Sequence, residues 1–279
     1  MLGKQIRATT PNMNDWKDKV VVITGGSAGL GLTIARAFLD RSARVILIGR
    51  SQQRLADATE TLGRQRVQTI SADVTNEQQA GSAMQQAVEL GGRMDVLVNN
   101  VGKSVRIELL KTTLEDYREF MEVNFLSAVS CTNSAIDALQ KTSGHVVNIG
   151  SLSCKTAWPY LAPYSTSKFA LGAFTHHLRL EGPSNVHYML VCPGPIKRED
   201  AGQRYDQQAE RYDLPEQARR PGAGAKVKGM DPKVLAEKIV RGCEKRKSEW
   251  IPFQARLLMM AMAMSPKLGD WYLRKKMEK

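Results

Sequence analysis

The chain has 279 residues, 42% of them hydrophobic, which is enough to bury a substantial core and excludes a chain that is disordered throughout. A net charge of +12 raises the question of a nucleic-acid partner, but residues 221–279 hold 14 Lys+Arg against 6 Asp+Glu, so +8 of the excess sits in the last fifth. No basic patch interleaves with aromatics and no helix-turn-helix or zinc-finger pattern occurs, so the composition argues against nucleic acid.

In chain order, VVVIT (20–24) reads as a buried parallel strand, and Leu32, Ile34, Ala35 and Phe38 then form one helical stripe. RVILI (44–48) is a second strand, followed by a helix over 53–62 and a third strand over 67–72. Residues 76–90 read as a helix and MDVLVN (94–99) as a strand. Thr113 opens a further helix, with Asp116 placed to complete a capping box. HVVNI (145–149) and VHYMLV (186–191) are apolar strands, and 232–246 is a late helix. Strands alternating with helices predict a single α/β domain: a doubly wound, mostly parallel, Rossmann-like sheet with helices on both faces. The expected division is an N-terminal extension over 1–17, the domain over 18–253 and an apolar, basic extension over 254–279. Residues 196–230 break the rhythm, being polar with little apolar periodicity, and 197–230 reads as a substrate loop or lid.

Cys131, Cys154, Cys192 and Cys243 are widely spaced without a CxxC, which predicts reduced, buried thiols rather than a zinc site or disulfides, and no metal is expected. The first 19 residues lack an apolar secretory core, and the longest apolar run, LLMMAMAM (257–264), falls short of the roughly 18–20 residues of a spanning helix. The expected location is cytoplasmic.

TGGSAGLG (24–31) follows the first strand and opens a helix, giving G-x-x-x-G-x-G at Gly25, Gly29 and Gly31. Glycines there let the backbone approach a pyrophosphate and aim helix N-terminal N–H groups at it, so the turn predicts a dinucleotide site. The second strand ends at Gly49-Arg50, with no acid to bond a ribose 2′-hydroxyl. A guanidinium grips a 2′-phosphate instead, so NADP(H) is expected over NAD(H).

With these and later motifs in order, the stretch from about residue 18 to 194 resembles the short-chain dehydrogenase/reductase family, in its NADP-dependent branch of about 250 residues. TGGSAGLG resembles the family's cofactor turn, which implies contacts from Gly25, Ser27, Gly29, Leu30 and Gly31. Asp73-Val74 resembles the adenine-contacting pair. NNVG (99–102) resembles the family's NNAG, with Val101 replacing Ala, and implies Asn100 and Gly102 at the cofactor. Asn124 in MEVNF, Ser151 in NIGSLS, and Tyr164 and Lys168 in YSTSK match the family's catalytic set. Pro193-Gly194 resembles the turn flanking nicotinamide, with Ile196 beside it. The family usually carries a Thr after this turn, and Pro195-Ile196-Lys197-Arg198 has none. Members are commonly homodimers or homotetramers.

The chemistry is coherent on its own terms. Carbonyl reduction needs a hydride at carbon and a proton at oxygen. A free phenol, with a pKa near 10, is a poor acid at neutral pH. Lys168 lies one helical turn beyond Tyr164 on the same face, where its ammonium would lower the phenol pKa. The Ser151 hydroxyl can bond the substrate oxygen as charge develops. The resemblance adds that Lys168 bonds the nicotinamide ribose and that Asn124 holds a water leading to Lys168. Ser153 and Tyr160 lie off the family spacing; Ser165, Thr166 and Ser167 read as helix packing, and His145, His176, His177 and His187 as structural. The expected activity is hydride transfer between nicotinamide and a carbonyl or secondary alcohol; the alternative is a catalytically silent Rossmann module.

Leu152, Trp158, Tyr160, Leu161 and Pro163 lie between Ser151 and Tyr164 and favour a lipophilic substrate, with ordinary loop packing as the competing reading. The C-terminal run combines LLMMAMAM, Trp250, Trp271 and Arg274-Lys275-Lys276, the makeup of a helix lying on an anionic membrane surface. It is similar to the C-terminal extension of steroid and ketosphinganine reductases in this family. Subunit contact or core packing is the other reading of the same residues.

Overall fold

The computed structural model of the protein describes residues 16–197, Leu214 and residues 229–277. Most of the expected lid segment, 197–230, and residues 1–15 of the expected N-terminal extension lie outside the described residues.

Seven strands form one parallel sheet: β1 (Val20–Thr24), β2 (Arg44–Gly49), β3 (Val67–Ser71), β4 (Val96–Asn99), β5 (His145–Ile149), β6 (His187–Val191) and β7 (Glu249–Trp250). Their order across the sheet is β3-β2-β1-β4-β5-β6-β7. Chain order reverses direction at β1 and β4, and ligands of open α/β sheets bind in the crevice beyond the strand ends at such a point. The helices are α1 (Gly29–Leu39), α2 (Gln52–Leu62), α3 (Glu77–Gly91), α4 (Leu114–Met121), α5 (Ser127–Thr142), α6 (Ala162–Glu181), α7 (Pro232–Glu244), α8 (Phe253–Met264) and α9 (Pro266–Met277). Strand β7, only two residues long, was not anticipated.

Alternate strand residues feed opposite faces, as the pleat requires. Val21, Ile23, Val45, Leu47, Val96 and Val98 pack under α1, α2 and α7. Val20, Val22, Ile46, Ile48 and Leu97 pack under α3 and α5. Both faces are covered, which is why these strands read as continuous apolar runs. Trp16, just ahead of the expected domain start, is buried in the first layer, stacks edge-on against Phe38 and donates its Nε1–H to Glu244. The capping box at Thr113 forms as expected, with reciprocal bonds between Thr113 and Asp116.

His145 and His187 stand opposite each other at the start of β5 and β6 and share an Nδ1···Nδ1 hydrogen bond of 2.9 Å. Burial pushes their pKa values down, to about 2 and about 4. The pair is neutral at physiological pH, consistent with a structural role. His176 and His177 are exposed on α6.

Candidate active site

The glycine turn is built for close backbone approach. Gly25 has φ +63°, in the left-handed region, and its N–H bonds the Ile48 carbonyl at 2.8 Å. A Cβ on Gly31 would stand 2.4 Å from the Gly25 carbonyl oxygen and 2.7 Å from Asn100 Nδ2. Asn100 Nδ2 donates to the carbonyls of Thr24 (3.0 Å) and Gly25 (3.1 Å), locking the turn. Thr24 Oγ1 accepts the backbone N–H of Asn100 and of Val101, tying the turn to the NNVG segment. Helix α1 starts after the N-cap Ala28, which supplies no side-chain hydrogen bond, so the positive end of the helix dipole at the turn carries no side-chain cap. Leu30 packs against the core while Ser27 lies beside Gly49. This cradle fits a dinucleotide pyrophosphate.

At the end of β2, the Arg50 side chain is 78% exposed and stands 3.6 Å from an Asp73 carboxylate oxygen. Burial opposes ionisation of Asp73, but hydrogen bonds from Thr75 N–H and Oγ1 and the Arg50 charge outweigh it and hold the carboxyl below its usual range. Val74 is buried in the core beside it.

Asn124 sits in a π-helical turn, Glu122–Leu126, between α4 and α5. Its Oδ1 accepts the Lys103 N–H at 2.8 Å, and its Nδ2 donates to the Lys103 carbonyl and to Ser167 Oγ, each at 3.0 Å. Ser167 Oγ donates in turn to the Tyr164 carbonyl at 2.8 Å. Ser167 therefore links Asn124 to the tyrosine's own turn, a role beyond the packing expected of it. Its burial and its bond to Asn124 come from the fold and have no local sequence signal.

Lys168 is buried, and its Nζ donates to the Ile149 carbonyl at 2.8 Å. Burial pushes its pKa down, and the neighbouring thiols Cys154 and Cys192 oppose that shift. A Cβ on Gly102 would stand 2.9 Å from Asn124 Oδ1 and 3.4 Å from Lys168 Nζ, so these three residues converge. Ser151 follows two residues after Ile149, where β5 ends, and its Oγ accepts the Ser153 N–H at 3.1 Å. The turn Leu152–Cys154 packs against α6, the helix that carries Tyr164 and Lys168. Pro193 and Gly194 lie across from it: Leu152 N–H bonds the Pro193 carbonyl at 3.0 Å, and Gly194 faces the Leu152 side chain. Ile196 forms a parallel bridge with Met230.

Among the described residues no cluster of metal-ligating side chains occurs. All four cysteines are free and buried. The described residues include no helix long and apolar enough to cross a membrane.

Comparison with known proteins is consistent with this geometry. The chain is 33% identical over 242 residues to dehydrogenase/reductase SDR family member 7B of Danio rerio, covering 83% of this chain and 76% of that one. It spans 62% and 58% of the proteins of the same name from Xenopus tropicalis and Xenopus laevis. It is 30% identical over 269 residues to the uncharacterized oxidoreductase YxnA of Bacillus subtilis, covering 93% of this chain and 72% of the relative. The fold matches an alcohol dehydrogenase from Thermococcus sibiricus complexed with 5-hydroxy-NADP, with TM-score 0.70, 23% identity and coverage of 84% of this chain and 95% of that one. The short chain dehydrogenase family model matches residues 19–209, and the chain belongs to that family of oxidoreductases.

Proposed function

We propose that the protein reduces a lipophilic carbonyl compound with NADPH, or runs the reverse alcohol oxidation, with Tyr164 as the acid/base group. The observation that carries this reading is the convergence of buried Lys168 with Asn124 and Gly102 on the helix face that also bears Tyr164. An ammonium held in low dielectric acts strongly on a phenol one turn away and favours its ionised form. Ser151, at the end of β5, would bond the substrate oxygen as negative charge gathers there. Asn124, with Lys103 and Ser167, would hold the proton path behind Lys168 open. Bound NADPH supplies the hydride. The cradle of Gly25, Gly29, Gly31 and Asn100 would hold its pyrophosphate, with Asp73-Val74 at the adenine and Pro193, Gly194 and Ile196 along the nicotinamide side.

Arg50 supports the choice of NADPH. An exposed ion pair contributes little, so the guanidinium can turn from Asp73 to a 2′-phosphate without a large penalty. The wild-type protein is expected to favour NADPH over NADH in kcat/KM by about 10-fold or more, and Arg50→Ala to erase most of that ratio. Steady-state rates over a panel of steroids, 3-ketoacyl compounds and sugars, followed by nicotinamide absorbance, make the measurement. Equal use of the two cofactors by the wild type removes the NADP assignment.

The C-terminal helices support peripheral membrane contact. Phe253, Leu257, Met260 and Met264 fall on one stripe of α8, all exposed, with Met264 at 88%. Leu268 and Trp271 continue the apolar surface on α9, beside Lys267, Arg274 and Lys275, and Lys275 Nζ lies 4.8 Å from the Trp271 ring centroid. Apolar anchors bordered by cations match an anionic lipid surface. In flotation with phosphatidylserine-containing vesicles, Leu257→Glu/Met260→Glu is expected to lower the bound fraction about tenfold. Equal flotation of variant and wild type leaves these helices to subunit contact instead.

A further inference from the structure

Two of the four thiols lie together behind the candidate catalytic serine. Cys154 closes the turn that begins at Ser151, and its Sγ accepts the Ser151 N–H at 3.4 Å. Cys192 immediately follows β6, directly ahead of Pro193-Gly194. The backbones carrying the two residues are stitched on both sides, by Gly150 N–H to the Val191 carbonyl (2.8 Å) and Leu152 N–H to the Pro193 carbonyl (3.0 Å). The side chains share one small buried cluster with Leu190, Ile251 and Met259, and each thiol acts on the ionisation of the other. We propose that Cys154 and Cys192 form a redox modification site, a dithiol that peroxide converts to a disulfide linking the Ser151 turn to the Pro193-Gly194 turn.

The two sulfurs are not equivalent. Cys154 is 6% exposed and Cys192 0%, so an oxidant diffusing in from solvent meets Cys154 first. The hydrogen bond with Cys192 lowers the Cys154 pKa, burial opposes this, and the Lys168 charge lowers it further. The same hydrogen bond and burial raise Cys192. Cys154 is therefore the nucleophile and Cys192 the resolving thiol. The Cys154 thiolate attacks one oxygen of hydrogen peroxide and the O–O bond breaks. Hydroxide leaves and takes up the proton that Cys154 had released, giving water and a Cys154 sulfenic acid. The Cys192 sulfur then attacks the Cys154 sulfur, its proton goes to the departing hydroxyl, and a second water leaves. Two thiols are oxidised and one peroxide is reduced. Cys131 and Cys243 are raised to about 12 by burial and lie in other parts of the core, so neither competes.

A covalent S–S bond is shorter than a thiol–thiol hydrogen bond, so closure draws the two turns together. It also changes the sulfur that holds the Ser151 N–H. On the reading of Ser151 given above, oxidation shifts the group that bonds the substrate oxygen, and turnover falls.

The experiment treats the full-length protein with hydrogen peroxide and maps disulfides by tryptic mass spectrometry, alongside activity before and after dithiothreitol. The expected result is a Cys154–Cys192 cross-linked peptide and an activity loss of about tenfold or more that dithiothreitol reverses. Cys192→Ser is expected to give no cross-link and to accumulate a dimedone-reactive sulfenic acid at Cys154, with each variant's activity referred to its own untreated sample. Cys243→Ser is expected to behave as wild type. Absence of the Cys154–Cys192 peptide from oxidised wild-type protein overturns the proposal. Because the cross-link is read by mass, a chain that forms it without losing turnover contradicts only the role given to Ser151, and the modification site stands.

Discussion

Tyr164→Phe is expected to lower kcat for carbonyl reduction by about 10²–10⁴-fold, while the NADPH dissociation constant stays within about threefold of wild type. The substitution removes one oxygen and no carbon. The tyrosine's backbone carbonyl still accepts Ser167 Oγ, and Ser167 still accepts from Asn124, so these two bonds beside Lys168 survive the substitution. Lys168 keeps its bond to the Ile149 carbonyl. On the proposed mechanism, what disappears is the group that would give the proton to the nascent alkoxide. Turnover assays beside a fluorescence titration with NADPH separate the two effects. A variant that retains more than about a tenth of wild-type turnover would show that the proton comes from elsewhere. If wild type binds NADPH but reduces nothing across a broad carbonyl panel, the protein is a binding module rather than an enzyme.

Gly31→Ala is expected to weaken NADPH binding by about tenfold or more and to destabilise the fold by about 1–3 kcal/mol. The new methyl would stand 2.4 Å from a backbone carbonyl oxygen, that of Gly25, and 2.7 Å from the Asn100 amide. Neither neighbour can move cheaply. Gly25 is fixed by its N–H bond to Ile48, and Asn100 is held by two carbonyls of the same turn. The strain therefore opens the turn proposed to cradle the phosphates. Gly92→Ala, outside the cradle, is the matched control: a Cβ there meets nothing within 4 Å and suffers only the penalty of φ +71°, about 1–2 kcal/mol. Thermal unfolding with and without NADPH measures both variants. Should Gly31→Ala bind cofactor as well as wild type does, the role assigned to this turn is wrong.

Much of the fold was legible because its strands are buried on both faces. VVVIT, RVILI and HVVNI carry β-branched or aliphatic residues at consecutive positions, and only a covered parallel sheet demands that. Thr113 and Asp116 announced a helix start through local chemistry alone. Strand β7 escaped notice because two residues carry no periodicity and pair only once β6 is in place. The meeting of His145 with His187 depends on the register of two strands distant in sequence, as does that of Cys154 with Cys192 on the fold around them. No pattern within either segment encodes such a partner. The candidate site was visible as spaced motifs, but the part played by Ser167 was not, since its partner Asn124 arrives from the π turn ahead of α5, 43 residues away in sequence.

The wide turn at Glu122–Leu126 bears on how this lineage can vary. An α-helix rotates by about 100° per residue, and a π turn accommodates one residue more than a regular turn does. Loss of a single codon here would restore regular winding and swing either Asn124 away from Lys103 and Ser167 or the whole of α5 away from its seat on the sheet. Side chains other than Asn124 and the buried Phe120, Ser127 and Ala128 can drift, but the residue count is locked, and a genetic screen that tolerates substitutions at those other positions should return almost no length variants.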